Sequence, residues 1–403
     1  MMEEKKNCAS GIRRAFIIVL DGFGIGAALD AERFGDEGAC TLKSVYGTGE
    51  ADIRNLLSLG LGEIDGNGYL PKTEPRGVYA RLSERSGGKD TTVGHWELAG
   101  LVTERALPTY PMGFPDSLMS ELSRRTGRGV LCNRPYSGTE VIRDYGEAHL
   151  VSGDLIVYTS ADSVCQIAAH ESIVTPEELY EYCRTAREIF TCEHAVGRII
   201  ARPFEGAYPD FRRTPRRRDF SLVPPVPTLL DAMAEVGYDV IGVGKIEDIF
   251  ASRGLTRSIH TASNREGIAC VRRLLGEDFC GLAFVNLVDF DMVYGHRRDP
   301  VGYAHALSEF DAFLGEMTAS LRSDDLLIVT ADHGTDPGFA ASTDHTRENV
   351  PFLAYRPQVI SANGGTVRGF HAVAATVADL FGITLPSGCS SEGSFASLLR
   401  TAR

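Results

Sequence analysis

The sequence of 403 residues lacks a hydrophobic run long enough to cross a membrane. The run AFIIVL near its beginning stops at Asp21, and its six apolar residues are too few for a membrane span or a signal-peptide core. An excess of basic residues is also missing, because the formal net charge is −13. We therefore expect neither a membrane surface nor a nucleic acid among the partners of this protein.

Cysteine pairs with the spacing of a metal-binding or redox motif are absent as well. The nine cysteines are scattered along the chain, and no two are spaced as C-x-x-C. An odd number of scattered thiols is typical of reduced proteins, in which cysteine serves as a small buried apolar residue. We expect a cytoplasmic location.

What is present is an alternation of short apolar runs and helical patterns. The runs are continuously apolar and rich in β-branched residues, as in parallel strands that are buried on both faces. They are Phe16–Leu20, Leu155–Tyr158, Val240–Val243, Ala283–Val288 and Leu326–Thr330. Helical patterns lie at 176–190, 228–235, 303–321 and 372–380. The alternation predicts an α/β fold with a mostly parallel central sheet flanked by helices.

Three of the apolar runs end in carboxylates or imidazoles, although hundreds of residues separate them. In open α/β sheets, ligands bind beyond the carboxyl ends of the strands, so the fold can bring these side chains together. Carboxylates and imidazoles without cysteine suit manganese, iron or zinc in a catalytic site. Asp289, Asp336 and Asp344 are neighbouring alternatives that fit supporting or capping roles better. The candidate ligands are Asp21, Asp291, His296, Asp332, His333 and His345.

A polar stretch, GGKDTTVGHWE at 87–97, presents two adjacent hydroxyl groups. A hydroxyl in such a loop is either an ordinary surface group or a group held open to a reacting partner. Both Thr91 and Thr92 are candidates for a nucleophile. Lys89 and His95 are candidates for binding phosphate or ordering the loop, and either can equally be structural.

The sequence closely resembles the phosphopentomutases, a family within the alkaline-phosphatase-like metalloenzyme superfamily. The resemblance runs from residue 16 to about residue 355 and is carried by long, ordered segments. These are VLDGFGIG, GKDTTVGHWELAGL, IVYTSADSVCQIAAHE, VGRIIARPF, NLVDFDMVYGHRRDP and ADHGTDP followed by TDHTRE. The resemblance implies an alkaline-phosphatase-like core with an inserted smaller α/β cap domain.

The resemblance also implies roles for the candidate residues. Thr91 is the nucleophile, and its oxygen joins one metal group. One ion is held by Asp21, Asp332 and His333 together with the Thr91 oxygen, and the other by Asp291, His296 and His345. Two departures from the family pattern touch none of these side chains: Gly22 replaces a common serine, and Val93 replaces a common hydroxyl residue.

A separate segment at 102–223 carries its own strand and helix patterns and the basic stretch FRRTPRRRDF. We expect it to be an inserted substrate-binding cap, with 1–101 and 224–403 forming a discontinuous metal-binding core. Arg216, Arg217 and Arg218 can also be a solvated surface run. Asp162 can bind sugar hydroxyls, cap a helix or pair with an arginine. The substrate residues that the resemblance implies are Ser160, Asp162, Val164, Arg198, Ile200, Arg213 and Lys245.

The resemblance implies interconversion of (2-deoxy)ribose 1-phosphate and (2-deoxy)ribose 5-phosphate through a phosphothreonine and a sugar 1,5-bisphosphate. It implies two divalent ions, usually Mn²⁺, and a sugar bisphosphate primer such as glucose 1,6-bisphosphate. A phosphatase or a cofactor-independent phosphoglycerate mutase of the same superfamily is the alternative. A catalytically inactive binding relative is a third possibility, but it does not explain why every proposed ligand is retained.

Overall fold

The computed structural model describes residues 11–160 and 162–400, and the chain divides into two compact units. The first unit comprises Met1–Ala106 and Pro224–Arg403, and the second comprises Leu107–Val223. The strands are β1 Arg14–Leu20, β2 Val78–Ser83, β3 Val130–Pro135, β4 Leu155–Thr159, β5 Val164–His170, β6 Arg198–Glu205, β7 Arg212–Arg213, β8 Arg218–Ser221, β9 Asp239–Val243, β10 Arg257–Ile259, β11 Gly281–Leu287, β12 Asp325–Thr330, β13 Val350–Tyr355 and β14 Ala362–Arg368. The α-helices are α1 Thr41–Tyr46, α2 Arg54–Ser58, α3 Thr91–Leu98, α4 Asp116–Thr126, α5 Gly138–Ser152, α6 Pro176–Ile189, α7 Leu229–Glu235, α8 Ile246–Ile249, α9 Asn264–Gly276, α10 Pro300–Ser320, α11 Ala372–Phe381 and α12 Ala396–Leu399.

The first unit is built on an eight-stranded sheet in the order β10-β9-β11-β1-β12-β13-β2-β14. The five strands from β10 to β12 are parallel, whereas β13 is antiparallel to both of its neighbours. Strand β1 lies between β11 and β12, with Leu20 opposite Leu287 and Val19 opposite Thr330. The carboxyl ends of these three strands therefore meet at one edge, where the residues that follow them come together.

The predicted α/β class and mostly parallel sheet are confirmed. The five predicted apolar runs coincide with β1, β4, β9, β11 and β12, and the four helical patterns with α6, α7, α10 and α11. Strands β1, β11 and β12 are buried along their whole length, as expected for a central sheet covered on both faces.

The second unit contains a six-stranded sheet in the order β3-β4-β5-β6-β7, with β8 also paired to β6. One face packs against α4 and α6 through residues such as Leu122, Ile167 and Cys183. The other face packs against α5 through Val141 and Ile142. None of the helices in the described part of the chain is long and apolar enough to cross a membrane.

Candidate metal centre

Asp21, Asp332 and His333 form a buried group at the carboxyl edge of the central sheet. Asp21 directly follows β1, and the other two follow β12 after one intervening residue. His333 Nε2 lies 3.4 Å from Asp21 Oδ1 and 3.2 Å from Asp332 Oδ2. His333 Nδ1 lies 3.1 Å from the Gly334 carbonyl oxygen, to which a protonated Nδ1 donates, and this leaves Nε2 able to bind a cation.

The oxygens in this group fit a cation. Asp21 Oδ1 and Asp332 Oδ2 are buried without a hydrogen-bond partner among the described residues. An unpaired buried carboxylate oxygen is costly, and a divalent ion held by both carboxylates and the imidazole compensates that cost. The donor set, two carboxylates and one imidazole, suits manganese or zinc.

Asp291, His296 and His345 form a second group beside the first. A π-helical turn, Phe290–Gly295, follows β11 and places Asp291 near His296. The two imidazole Nε2 atoms lie 3.4 Å and 3.6 Å from the Asp291 carboxylate oxygens. His296 Nδ1 lies 2.6 Å from the Thr343 carbonyl oxygen, so its Nε2 is also left to face the carboxylate.

The two groups adjoin each other through stacked imidazole rings. The ring centroids of His333 and His345 are 3.9 Å apart, and the planes differ by 19°. The six candidate ligands predicted from the sequence therefore lie together as two neighbouring groups of three. This arrangement can hold two divalent ions side by side, as in enzymes that use a metal pair for phosphoryl transfer.

The charges in the centre strongly favour a bound cation. Burial raises the pKa of Asp291, but His345 and His296 outweigh burial and hold that pKa well below its usual range. Burial lowers the pKa of His333, yet the Asp332 and Asp21 carboxylates raise it well above its ordinary value. The pKa of His296 is raised to about 9, because Asp291 outweighs burial there. The carboxylates thus create a negative potential that attracts a proton or a metal ion to these imidazoles.

The Thr91 hydroxyl lies against the first group, with Oγ1 3.0 Å from His333 Nε2. Thr91 is the first residue of α3, and the preceding Asp90 caps that helix by accepting a hydrogen bond from Val93 N–H. The positive end of the helix therefore lies close to the hydroxyl. Thr92 makes no corresponding side-chain hydrogen bond in the described part of the chain.

The sequence leaves the role of His95 open and does not indicate Asn286. His95 Nδ1 lies 2.9 Å from the Thr91 carbonyl oxygen, to which a protonated Nδ1 donates, and 3.1 Å from Asp332 Oδ2. Asn286 Nδ2 is 3.3 Å from His95 Nε2 and donates to Asp21 Oδ2 at 3.2 Å. His95, on α3, thus contacts the Asp332 carboxylate, and Asn286, on β11, contacts the Asp21 carboxylate. Asn286 gave no signal because it lies within the apolar run of β11.

A second unforeseen residue, Arg347, holds the loop that leads to Thr91. Its buried guanidinium donates to Glu84 Oε2 at 2.5 Å, to the Gly88 carbonyl at 2.7 Å and to both Asp30 carboxylate oxygens at 3.0 Å. Lys89, a candidate for binding phosphate or ordering the loop, is paired with Asp36 at 2.7 Å. This contact gives Lys89 a structural partner.

Two glycines are required by close contacts at the centre. Gly94 in α3 approaches β12 so closely that a Cβ would lie 2.0 Å from the Asp332 carbonyl oxygen. Gly22, a departure from the family pattern, has φ of +75°, and a Cβ there would lie 2.5 Å from Thr335 Oγ1. Thr335 in turn donates to Asp291 Oδ1 at 2.8 Å. Glycine at position 22 therefore leaves room for a threonine that supports the second group.

The remaining candidates are divided between the two units. Lys245 lies in the first unit, where its Nζ donates to Asp21 Oδ2 at 2.9 Å. The other six lie in the second unit, mostly at neighbouring positions of β5 and β6 or beside them. Val164 is opposite Arg198 in the sheet, and Arg198 Nη2 lies 4.0 Å from Asp162 Oδ2. The other three candidates of the second unit are Ser160 after β4, Ile200 on β6 and Arg213 on β7.

Fold and site together define an α/β metalloenzyme, and the Metalloenzyme superfamily model matches residues 13–385. Curated relatives make the assignment more specific. The phosphopentomutase of Lachnoclostridium phytofermentans is 51% identical over 375 residues, which cover 92% of this chain and 96% of that protein. The phosphopentomutase of Acetivibrio thermocellus is 51% identical over 391 residues, which cover 96% and 100% of the two chains. The chain therefore belongs to the phosphopentomutase family, and it is an isomerase that acts as an intramolecular phosphotransferase.

Solved structures show a more distant similarity. Phosphoglycerate mutase of Leishmania mexicana aligns with a TM-score of 0.49 at 14% identity, covering 94% of this chain and 97% of that chain. The family assignment rests on the sequence relatives and not on this similarity.

Proposed function

We propose that the protein interconverts α-D-ribose 1-phosphate, or its 2-deoxy form, and the corresponding 5-phosphate. The observation that carries the mechanism is the position of the Thr91 hydroxyl, 3.0 Å from His333 Nε2 at the edge of the first carboxylate and imidazole group. A hydroxyl placed there is next to the proposed cation site and at the positive end of α3, where a phosphate ester is stabilised.

The two groups of three residues are proposed to hold two divalent ions, for which we favour Mn²⁺. Such ions lower the pKa of a coordinated hydroxyl and offset the charge of a transferring phosphoryl group. His95 and Asn286 keep the Asp332 and Asp21 carboxylates in place. Arg347 keeps the loop before Thr91 in place.

The proposed cycle starts with a phosphate on Thr91, placed there by a sugar bisphosphate such as glucose 1,6-bisphosphate. The bond between phosphorus and Thr91 Oγ1 breaks while the free hydroxyl of the bound sugar monophosphate forms a bond to phosphorus. The proton of that hydroxyl ends on the threonine oxygen, and the product is a 1,5-bisphosphate. Transfer of the other phosphate back to Thr91 releases the isomer, and no water is consumed.

The second unit is proposed to be the substrate-binding cap. The sequence predicts this cap at 102–223, and the compact unit comprises Leu107–Val223. Arg198 and Arg213 provide guanidinium forks for the phosphate that is not being transferred. Asp162 accepts hydrogen bonds from sugar hydroxyls, and Ser160, Val164 and Ile200 line the ribose. Lys245, whose Nζ donates to Asp21 Oδ2, is proposed to bind the sugar phosphate as well.

No two cysteines in the described part of the chain are joined in a disulfide, which supports the proposal of a reducing, cytoplasmic environment.

The decisive experiment supplies purified enzyme with ribose 1-phosphate, Mn²⁺ and a bisphosphate primer. We expect stoichiometric ribose 5-phosphate. Steady release of inorganic phosphate identifies a phosphatase and overturns the proposal, and a 3-phosphoglycerate assay tests the alternative mutase activity.

The nucleophile is tested by comparing Thr91→Ala with Thr92→Ala. Removal of the true nucleophile lowers the rate by about a thousandfold or more. We expect that loss in Thr91→Ala, together with loss of the phosphate adduct in intact-mass spectra after priming. Thr92→Ala is the matched control and retains both, and an adduct that persists in Thr91→Ala contradicts the assignment.

A further inference from the structure

The arginines of the second unit are divided between the two faces of its sheet. Side chains alternate along a strand, so Arg198, Ile200 and Arg202 of β6 lie on one face. Asp219 of β8 is opposite Ile200, and Arg213 of β7 is opposite Phe204, which places both on that same face. We call the part of this face formed by β6, β7, β8 and the adjoining Arg217 the open face; α5 packs beside it, with Gly138 next to the Arg213 guanidinium.

The arginines of the opposite face have partners that explain them. Arg212 Nε donates to Glu205 at 3.0 Å, and Arg216 Nη1 donates to Glu171 at 2.6 Å. The Arg218 guanidinium lies over the Tyr180 and Phe220 rings, at 5.3 Å and 5.5 Å from their centroids. Arg212 and Arg216 are thus paired with carboxylates, and Arg218 packs on aromatic rings, so these side chains hold surface segments of the second unit together.

The open face carries more positive than negative charge in the described part of the chain. Arg217, two residues before Asp219, is paired to it through two hydrogen bonds of 2.7 Å. Arg198 lies between Asp219, at 3.7 Å, and Asp162, at 4.0 Å. Arg202 and Arg213 have no acidic partner, so the two acidic residues are shared among four guanidinium groups. Four positive guanidinium groups and two negative carboxylates leave the open face with an excess of two positive charges.

Arg202 and Arg213 are held in place by neutral groups. Arg202 Nε donates to Gln166 Oε1 at 3.1 Å, and Arg213 Nη2 donates to Tyr158 Oη at 3.2 Å. Burial, with the nearby Arg217, lowers the pKa of Arg202 to about 10, so the side chain remains charged at neutral pH. Arg213 Nε is buried without a partner among the described residues. Guanidinium groups oriented by neutral partners keep their charge available for an anion.

We propose that Arg202, oriented by Gln166, is a third guanidinium in the receptor for the non-transferring phosphate of the sugar, beside Arg198 and Arg213. The inference rests on the proposed function, since it assumes that the second unit binds a sugar phosphate. A phosphate dianion supplies the two negative charges that the open face lacks. It also has enough oxygens to accept from several guanidinium forks at once.

The test compares Arg202→Met with Arg212→Met in the isomerisation assay, using ribose 5-phosphate as the varied substrate. Loss of a hydrogen bond between charged groups weakens binding by about 10- to 100-fold. We expect KM for ribose 5-phosphate to rise by that factor in Arg202→Met, with kcat changed by less than about twofold. Arg212→Met, on the opposite face, is the matched control and stays near wild type. Arg202→Lys keeps the charge but loses the fork, so its KM lies between the two.

The other outcomes separate this inference from the proposed function. An Arg202→Met enzyme with unchanged KM, or with a loss confined to kcat, overturns the role of Arg202 while the isomerase assignment stands. Should Arg202→Met lose its native circular dichroism spectrum, Arg202→Lys decides, and an unchanged KM there also overturns the role. Absence of isomerisation by the wild-type enzyme overturns the proposed function and this inference with it.

Discussion

Thr335 offers a sharp test of how the proposed metal centre is supported. Its hydroxyl donates to Asp291 Oδ1 at 2.8 Å, and Asp291 is the carboxylate that both His296 and His345 face. Thr335→Val removes this donor while keeping the shape of the side chain beside Gly22. A hydrogen bond to a charged group contributes about 1.5–3 kcal/mol, and loss of a partner of a metal ligand lowers metal affinity by about 10- to 100-fold.

We expect calorimetric titration of chelator-treated Thr335→Val with Mn²⁺ to show one binding event weakened by that factor. The event assigned to Asp21, Asp332 and His333 should change less, because the contact of that group with Thr335 is the longer one, 3.3 Å from Thr335 Oγ1 to His333 Nδ1. Thr335→Ser, which retains the hydroxyl, is the control and should bind Mn²⁺ nearly as the wild type does. Wild-type affinity in Thr335→Val, or an equal loss in Thr335→Ser, refutes the argument that this hydrogen bond supports the centre.

Two further predictions concern stability. Arg14→Met leaves the buried Asp325 carboxylate without its bidentate partner at 2.7 Å, and we expect a loss of about 3–5 kcal/mol in urea unfolding. Arg54→Met breaks an exposed pair and should cost less than about 1 kcal/mol; equal losses contradict this reasoning. Burial lowers the pKa of His149, whose Nδ1 lies 2.6 Å from the Asp154 carbonyl oxygen and whose Nε2 accepts from His170 N–H. The unfolded state therefore binds a proton at His149 more tightly than the folded state does. The stability that neutral, buried His149 contributes is complete above about pH 6.5. Below that pH it declines by up to about 1.4 kcal/mol per pH unit. The difference in stability between wild type and His149→Gln should therefore shrink from pH 7.5 to pH 5.5, and a constant difference contradicts the pKa shift.

The central strands were predictable because burial on both faces requires an apolar residue at nearly every position. Strands β1, β11 and β12 lie inside the sheet with both faces covered, so nearly every position is apolar. In the first unit, β2, β10, β13 and β14 were not predicted. β2 alternates buried and half-buried positions, and β14 contains two glycines in a largely exposed stretch, so neither presents a continuous apolar run.

The arginine run of the second unit illustrates the same limit. FRRTPRRRDF reads as one basic patch, and nothing in its composition separates Arg217 from Arg218. The structure distinguishes them, because Arg217 comes one residue before Arg218 at the start of β8, and adjacent residues point to opposite faces of the sheet. Arg218 then packs on Tyr180, whereas Arg217 joins Asp219 on the open face.

The sequence by itself determined the α/β class and the residue types available at the strand ends, since both follow from local hydrophobicity and chain order. Only the tertiary structure decided which distant side chains meet. His95 and Asn286 are 191 residues apart, and Arg347 and Gly88 are 259 apart. Such contacts depend on the order of strands in the sheet and on their register, which no local pattern encodes.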